Sequence, residues 1–271
     1  MRRETPKVFG ILNVTPDSFS DGGQFSDLAE AVGRGIELRE QGADVVDVGG
    51  ESTRPGATPV DVAEEQARVL PVIKGLVAAG VTVSVDTMNA DTALGAAAAG
   101  ASIINDVSGG LADPFMHRVV AETGLEYVAM HWRSFGDGAQ AVVHYDDVVR
   151  DVRVELTERV DSLRAAGVDL ARVIVDPGLG FAKNADHNWA LLAGLGELET
   201  LGCRVLVGAS RKRFLGELLA DDATAADRDL PTAVVTALAA DAGVWAVRVH
   251  DVASTRAALG VWSAWQNGRS S

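Results

Sequence analysis

The stretch VTVSVDTMNADTALGAAAAGASIINDVS occupies residues 81–108 and decides the fold class. Its two ends are apolar and rich in β-branched residues, whereas its middle is an alanine-rich segment with helical spacing. The end runs are hydrophobic without period-two alternation, which is typical of parallel strands buried on both faces. The stretch therefore predicts a strand, a helix and a second strand of an α/β fold.

The same strand-then-helix unit recurs along the whole chain. Eight apolar runs are present, at residues 8–13, 45–50, 81–87, 102–108, 126–132, 172–178, 204–210 and 246–251. Such repetition is compatible with a doubly wound sheet or a closed barrel, and eight units in 271 residues favour a (β/α)8 TIM barrel. Because no linker interrupts the pattern, we expect one domain over residues 1–271.

Two helices near the amino terminus have recognisable end signals. They are residues 28–41, between Asp27 and Gly42, and a segment opened by Pro59 and Asp61 and closed at Gly80. Their alternation with the first apolar runs supports the same barrel.

Composition narrows the class of protein. Hydrophobic residues make up 47% of the chain, enough for a large core, and the net charge of −14 disfavours a nucleic-acid partner. No apolar segment is long enough to span a membrane, and the charged residues 1–7 do not begin a secretory signal. Cys203 is the only cysteine, which excludes an internal disulfide and a cysteine-based zinc site. We expect a cytoplasmic protein.

Polar residues follow nearly every apolar run, at the point where a barrel strand would end. They are Asn13, Glu51, Asp86, Asn105, His131, Asp176, Ser210, Lys212, Arg248 and His250. Catalytic residues of these barrels lie at the carboxyl ends of the strands. A single polar strand end is equally well explained by contact with water, but this mixture of Asp, Asn, Arg and His suits a polar heterocycle and a phosphate.

Three of these residues have the hydrogen-bonding groups that a guanine-like ring requires. The carboxylates of Asp86 and Asp176 can each accept two hydrogen bonds from an amino-pyrimidinone edge, and the Asn105 amide supplies both an acceptor and a donor. Together they match a pterin. Asp176 precedes Pro177 and Gly178, so a turn-forming aspartate is an alternative for that residue.

Cations after the last two runs indicate an anion site. The tract GASRKRF at residues 208–214 places three cations after the seventh run, although a solvated helix start explains them equally well. Arg248 and His250 alternate along the eighth strand and should both point inward, where a cation requires an anion nearby.

Two glycine-containing loops, residues 13–23 and 49–56, follow the first two runs and suit loops that close over a substrate. Neither matches a Walker pattern or a dinucleotide fingerprint, so ATP and NAD have no sequence support.

Seven motifs in order resemble the dihydropteroate synthase family. They are NVTPDSFSDGG at 13–23, GGESTRPGA at 49–57, SVDT at 84–87, INDVSGG at 104–110, DPGLGF at 176–181, GASRKRF at 208–214 and RVHD at 248–251. The resemblance implies a pterin-binding TIM barrel and a transferase of folate biosynthesis. Such an enzyme condenses 6-hydroxymethyl-7,8-dihydropterin diphosphate with para-aminobenzoate to 7,8-dihydropteroate and pyrophosphate. It further implies magnesium, a homodimer and sensitivity to sulfonamides.

The resemblance also assigns roles to individual residues. The pterin would be held by Asp86, Asn105, Met130, Asp176 and Lys212; the diphosphate by Asn13, Arg54, Arg248 and His250; and the aminobenzoate by Phe19, Thr53, Pro55, Phe181 and Ser210. Catalysis would depend on Asp21, Arg54, Lys212, Arg248 and His250, with Asn13 as the magnesium ligand.

The sequence is also compatible with two other functions. WRSF at residues 132–135 departs from the family pattern, which often has Gly and Pro there, so a non-catalytic or weakly active pterin-binding paralogue is one alternative. A methyltetrahydrofolate-type methyltransferase is the other, although it has no use for the RVHD and GASRKRF motifs. Trp262 and Trp265 could form a dimer surface or belong to ordinary barrel packing.

Overall fold

The fold is a closed eight-stranded parallel barrel surrounded by helices. A computed structural model describes residues 4–14, 24–51, 60–133 and 144–269. Within these ranges the strands are β1 Lys7–Asn13, β2 Val45–Gly49, β3 Val83–Asp86, β4 Ile103–Asp106, β5 Glu126–Met130, β6 Val173–Asp176, β7 Arg204–Val207 and β8 Ala246–Val249. Each strand pairs in parallel with the next, and β8 pairs with β1. The predicted (β/α)8 TIM barrel is confirmed.

Helices occupy the outside of the barrel. They are α1 Gln24–Glu40, α2 Val62–Ala78, α3 Ala90–Ala98, α4 Met116–Thr123, α5 Val148–Ala165, α6 Ala185–Ala193, α7 Leu195–Leu198, α8 Arg213–Gly216, α9 Asp229–Ala242 and α10 Val252–Arg269. Within the described ranges none of them is long and apolar enough to cross a lipid bilayer. The cytoplasmic location and the single domain over residues 1–271 stay predictions; one cooperative unfolding transition would test the latter.

Two of the predicted element boundaries differ from those in the structure. The apolar runs extend beyond the strands, as in β7, which ends at Val207 rather than at residue 210, because the last residues of each run already turn away from the ladder. Helix α1 begins at Gln24, so Asp27 lies in its first turn rather than before it; a carboxylate is favourable there because it faces the positive end of the helix dipole.

The next helix begins as predicted. Asp61 caps α2 by accepting a hydrogen bond from the Ala63 amide at 2.9 Å, and Gly80 follows its end with φ +73°. Pro59 lies outside the described residues.

The barrel interior changes from apolar to charged along the strands. Near the amino-terminal ends it is filled by Phe9, Val45, Ile103, Val128, Ile174, Leu206 and Ala246. Side chains alternate along a strand, so the residues two positions further on also point inward. These next inward positions include Asp47, Asn105, Met130, Asp176 and Arg248. The fold thus places a polar layer on an apolar floor, at the carboxyl-end mouth where such barrels carry their chemistry.

Candidate active site

The residues expected to bind a pterin lie side by side at the mouth. Asp86 on β3 is the register partner of Asn105 on β4, and Met130 on β5 is the partner of Asp176 on β6. All four side chains are buried. The structure therefore brings together two carboxylates, one amide and one thioether along a continuous arc of four strands.

Asp176 forms the turn that the sequence offered as an alternative, and its second carboxylate oxygen takes no part in that turn. Its Oδ1 accepts a hydrogen bond from the Gly178 amide at 2.7 Å, which is the turn expected from the following Pro and Gly. Gly178 has φ +67°, and a Cβ there would lie 2.1 Å from the His131 carbonyl oxygen, so only glycine fits. The other carboxylate oxygen, Oδ2, lies beside Gly208. Burial raises the pKa of Asp176, against the effects of the Gly178 amide and Lys212.

Arg248 points inward as expected, and protein carboxylates supply its counter-charges. Its Nε donates to Asp47 Oδ2 at 2.5 Å, and its Nη2 donates to Asp86 Oδ2 at 2.7 Å. Asp47 is completely buried and was missed by the sequence reading. The available signal was a charged residue inside an otherwise apolar run, two positions after the inward-pointing Val45.

Asp86 has a buried acceptor with capacity for a ligand. Among the described residues, Oδ1 of both Asp47 and Asp86 is buried without a hydrogen-bond partner. Burial raises the pKa of Asp86 to about 7, opposed by Arg248 and reinforced by Asp47. Because a buried acceptor without a donor is costly, Asp86 Oδ1 is suited to receive a ligand N–H.

The three cations of GASRKRF do not form one cluster. Arg211, at φ +56°, makes a two-point ion pair with Asp229 of α9, with both N–O distances 2.7 Å. Arg213 is exposed on α8. Lys212 alone lies at the mouth, with its Nζ 4.1 Å from the centre of the Phe181 ring. Burial lowers the pKa of Lys212 to about 8, although Asp176 opposes the shift.

Ser210 and His250 are joined to each other. The Ser210 hydroxyl lies 2.9 Å from His250 Nδ1, and the His250 amide donates to Ser210 Oγ at 3.1 Å. Sequence reading had assigned Ser210 to the aminobenzoate side and His250 to the diphosphate side. The structure thus brings together two residues that the resemblance assigns to different substrates.

A half-buried lysine that the sequence reading missed supports the loop that carries Phe181. Lys183 Nζ donates to the carbonyl oxygens of Gly178 at 3.0 Å and Phe181 at 3.1 Å, and it lies 2.9 Å from His131 Nδ1. Burial lowers the pKa of Lys183 to about 7 and that of His131 to about 4. A neutral His131 can accept from Lys183 and donate its Nε2 hydrogen to Glu155, 3.1 Å away.

The departure from the family pattern after β5 contributes to this network. Arg133 makes an ion pair with Glu155 at 2.5 Å and stacks 3.9 Å from the centre of the Tyr145 ring. Residues 134 and 135 of the same stretch lie outside the described ranges. Arg133 therefore fixes the start of this loop to α5 through Glu155.

Some predicted residues cannot be placed in this geometry. Five lie outside the described residues, namely Phe19, Asp21, Thr53, Arg54 and Pro55. Asn13 is described: it ends β1, has an exposed side chain and is the register partner of Gly49.

Comparison with known proteins identifies the family. The family described as "Pterin binding enzyme" matches residues 9–250. The dihydropteroate synthase of Mycobacterium leprae (strain TN) is 52% identical over 264 residues, covering 96% of this chain and 93% of the relative. The chain belongs to the dihydropteroate synthase family of pterin-binding enzymes.

Solved structures of dihydropteroate synthases have the same fold. Xanthomonas albilineans dihydropteroate synthase with 4-aminobenzoic acid superposes with a TM-score of 0.90 at 46% identity, covering 97% of this chain and 94% of that one. The same synthase in complex with 7,8-dihydropteroate gives a TM-score of 0.87 at 43% identity, covering 98% and 95%. Membership in the dihydropteroate synthase family confirms the expected enzyme class, a transferase, and the expected place in folate synthesis.

Proposed function

We propose that this protein condenses 6-hydroxymethyl-7,8-dihydropterin diphosphate with para-aminobenzoate, forming 7,8-dihydropteroate and pyrophosphate. The observation that carries the proposal is the buried arc of Asp86, Asn105 and Asp176 above an apolar floor. Its acceptors suit the N–H groups of an amino-pyrimidinone ring, and the ring itself would pack on Met130. Lys212, beside Asp176, supplies a cation for an oxygen or nitrogen acceptor of the same ring.

The leaving diphosphate would lie between the ends of β1 and β8. Arg248 would provide a cationic partner together with Arg54 from the second loop, and His250 would provide a ring N–H donor. The two guanidinium groups stabilise the charge that develops on the diphosphate as its bond to the pterin methylene breaks, while the carboxylates of Asp86 and Asp176 stabilise the pterin cation that remains. Asp21 and Phe19 belong to the first loop, which would exclude water from that cation.

The donor set fits magnesium bound together with the diphosphate. Magnesium usually binds through one or two protein oxygens plus substrate phosphates, and Asn13 offers an amide oxygen at the exposed end of β1. In the four described ranges, no group of three or more His, Cys, Asp or Glu side chains could hold a metal by itself. When bound, the ion would supply Lewis-acid neutralisation of the leaving group.

The aminobenzoate would enter on the side of Phe181 and Ser210, with Thr53 and Pro55 from the second loop. Phe181 offers a ring face that Lys212 already holds by a cation–π contact. Ser210 is fixed by His250, so the arylamine would attack next to the departing diphosphate. A sulfonamide, which resembles aminobenzoate in shape and charge, should compete at this position.

Pyrophosphate release tests the proposal. Purified protein would receive the pterin diphosphate, magnesium and para-aminobenzoate, each omitted in turn. We expect release that requires all three and is lost in Asp86→Ala, but retained in Asp44→Asn, which removes a carboxylate near the amino-terminal end of the barrel. Tight binding of the pterin diphosphate without release would instead indicate the non-catalytic paralogue.

The exposed apolar residues of α9 and α10 support the proposed homodimer. Leu230, Val234 and Leu238 recur every four residues on α9, and Val261 and Trp265 are exposed on the neighbouring α10. Trp262, by contrast, is buried in the barrel packing. Replacing Trp265 by Ser should shift the protein towards a monomer in sedimentation, whereas an unchanged mass would place the dimer interface elsewhere.

A further inference from the structure

Asp47 is in direct contact with two of the residues proposed to bind the substrate. It is the third residue of β2, points into the barrel and is completely buried. Its register partner on β3 is Ser84, two residues before Asp86. Asp47 therefore lies inside the polar layer and does not reach its exposed surface.

Its carboxylate connects two proposed ligand residues that come from distant strands. Oδ2 of Asp47 accepts from Asn105 Nδ2 at 3.0 Å and from Arg248 Nε at 2.5 Å. One hydrogen of the Asn105 amide is thereby fixed, which sets the plane in which its other polar atoms face a ligand. The planar guanidinium of Arg248 is fixed at two points, by Asp47 and by Asp86.

Charge neutralisation alone does not explain Asp47. Arg248 already has a counter-charge in Asp86, so a second carboxylate is not needed to neutralise the guanidinium. The charge of Asp47 also raises the pKa of Asp86, which opposes the ionised form of that carboxylate. What Asp47 contributes besides charge is its pair of directed hydrogen bonds to Asn105 and Arg248.

We infer that Asp47 is a positioning residue of this enzyme, holding Asn105 and Arg248 in the orientation in which they meet the pterin diphosphate. The inference rests on the proposed function, since it takes the substrate from there. Asp47 itself would touch no reacting atom, but it would set the orientation of two residues that contact the substrate.

The variant Asp47→Asn tests the inference because it keeps the shape of the side chain, while its amide oxygen accepts weaker hydrogen bonds from Asn105 and Arg248 than a carboxylate does. Steady-state kinetics with the pterin diphosphate and with aminobenzoate should show kcat/KM for the pterin substrate lowered by about 10- to 100-fold, by analogy with residues that orient metal ligands. The KM for aminobenzoate should stay unchanged, because the hydrogen bonds of Asp47 go to Asn105 and Arg248, which are proposed to bind the other substrate. Activity of the wild-type protein tests the proposed function separately.

Asp44→Asn is the matched control. Asp44 precedes the same strand and pairs with Arg256 at 2.5 Å, with the same N–O distance as the Asp47–Arg248 pair, but lies near the opposite end of the barrel. It should leave kcat/KM unchanged. Equal kinetic losses in both variants, or a lower thermal stability of Asp47→Asn with unchanged kcat/KM, would show that Asp47 is only structural and would overturn the inference.

A double-mutant cycle separates positioning from a general disturbance of the barrel. Binding of the pterin diphosphate would be measured by calorimetry in Asp47→Asn, Asn105→Ala and the double variant. We expect the loss caused by Asp47→Asn to be much smaller in the Asn105→Ala background; full additivity would contradict the inference. If Asp47→Asn does not fold, Asp47→Glu keeps the charge and displaces the carboxylate, and it should show the same selective loss of kcat/KM.

Discussion

The two ends of the barrel interior are built from the same strands but have opposite chemistry. The amino-terminal end is filled by apolar side chains such as Phe9, Val45 and Ile174. Two residues further along β2 and β6, the interior contains Asp47 and Asp176. Apolar packing at the amino-terminal end stabilises the barrel and does not restrict the chemistry at the mouth. A buried charge at the mouth, by contrast, lowers the stability of the fold unless a ligand or an oppositely charged side chain pairs with it. The comparison predicts that changes at the two ends affect different measurements.

Replacing Arg248 with Ala should have the largest effect. It removes a proposed ligand of the leaving group, which we expect to lower turnover by about 10²- to 10³-fold. It also leaves Asp47 and Asp86 buried without their cation, which should lower the free energy of unfolding by about 3–5 kcal/mol. Pyrophosphate release and urea unfolding measure the two effects; an unchanged rate would defeat the leaving-group assignment.

Replacing Phe9 with Ala should affect stability alone. Phe9 is completely buried and packs edge-on against Trp245, with ring centres 5.8 Å apart. Its removal should lower the free energy of unfolding by about 3–5 kcal/mol, since the cavity can collapse only in part. Urea unfolding measures this loss, and the kcat of the folded protein should not change. A kcat as low as that of Arg248→Ala would mean that the two ends are not independent.

A pH effect of about tenfold per pH unit is expected from Lys212. Burial lowers its pKa to about 8, so its charge is lost as the pH rises through that value. The kcat/KM for the pterin substrate should therefore fall above about pH 8. In Lys212→Arg the guanidinium stays protonated, so this alkaline decline should disappear; a decline that persists unchanged would show that another group titrates.

Sequence reasoning could group several of the predicted site residues at one end of the barrel because the signals for this are local. Inward direction follows from alternation along a strand, so Asp86, Asn105, Asp176 and Arg248 could be assigned to the mouth once the runs were recognised as strands. The start of α1 was less predictable, because Asp27 is favourable both before a helix and in its first turn.

Pairings between distant residues could not be read in the same way. Arg211 and Lys212 are neighbours in the chain, but one binds Asp229 and the other lies over Phe181. The sequence does not predict that these two cations have different partners. The direction of each side chain depends on the backbone at Arg211, which has φ +56°, and on the position at which α9 packs. Lys183 was missed for the same reason, because its importance comes from carbonyl groups that only the folded loop brings together.

The sequence by itself determined the barrel, its family and the polar ends of its strands, because hydrophobic periodicity and motif order are properties of the chain alone. The tertiary structure decided which charges meet. Asp47, Asp86 and Arg248 are separated by up to 201 positions in sequence, and closure of the barrel brings β8 back to β1 and puts their side chains in one hydrogen-bonded group. Electrostatic energy depends on distance in space and on burial, and neither quantity is defined until the barrel has closed.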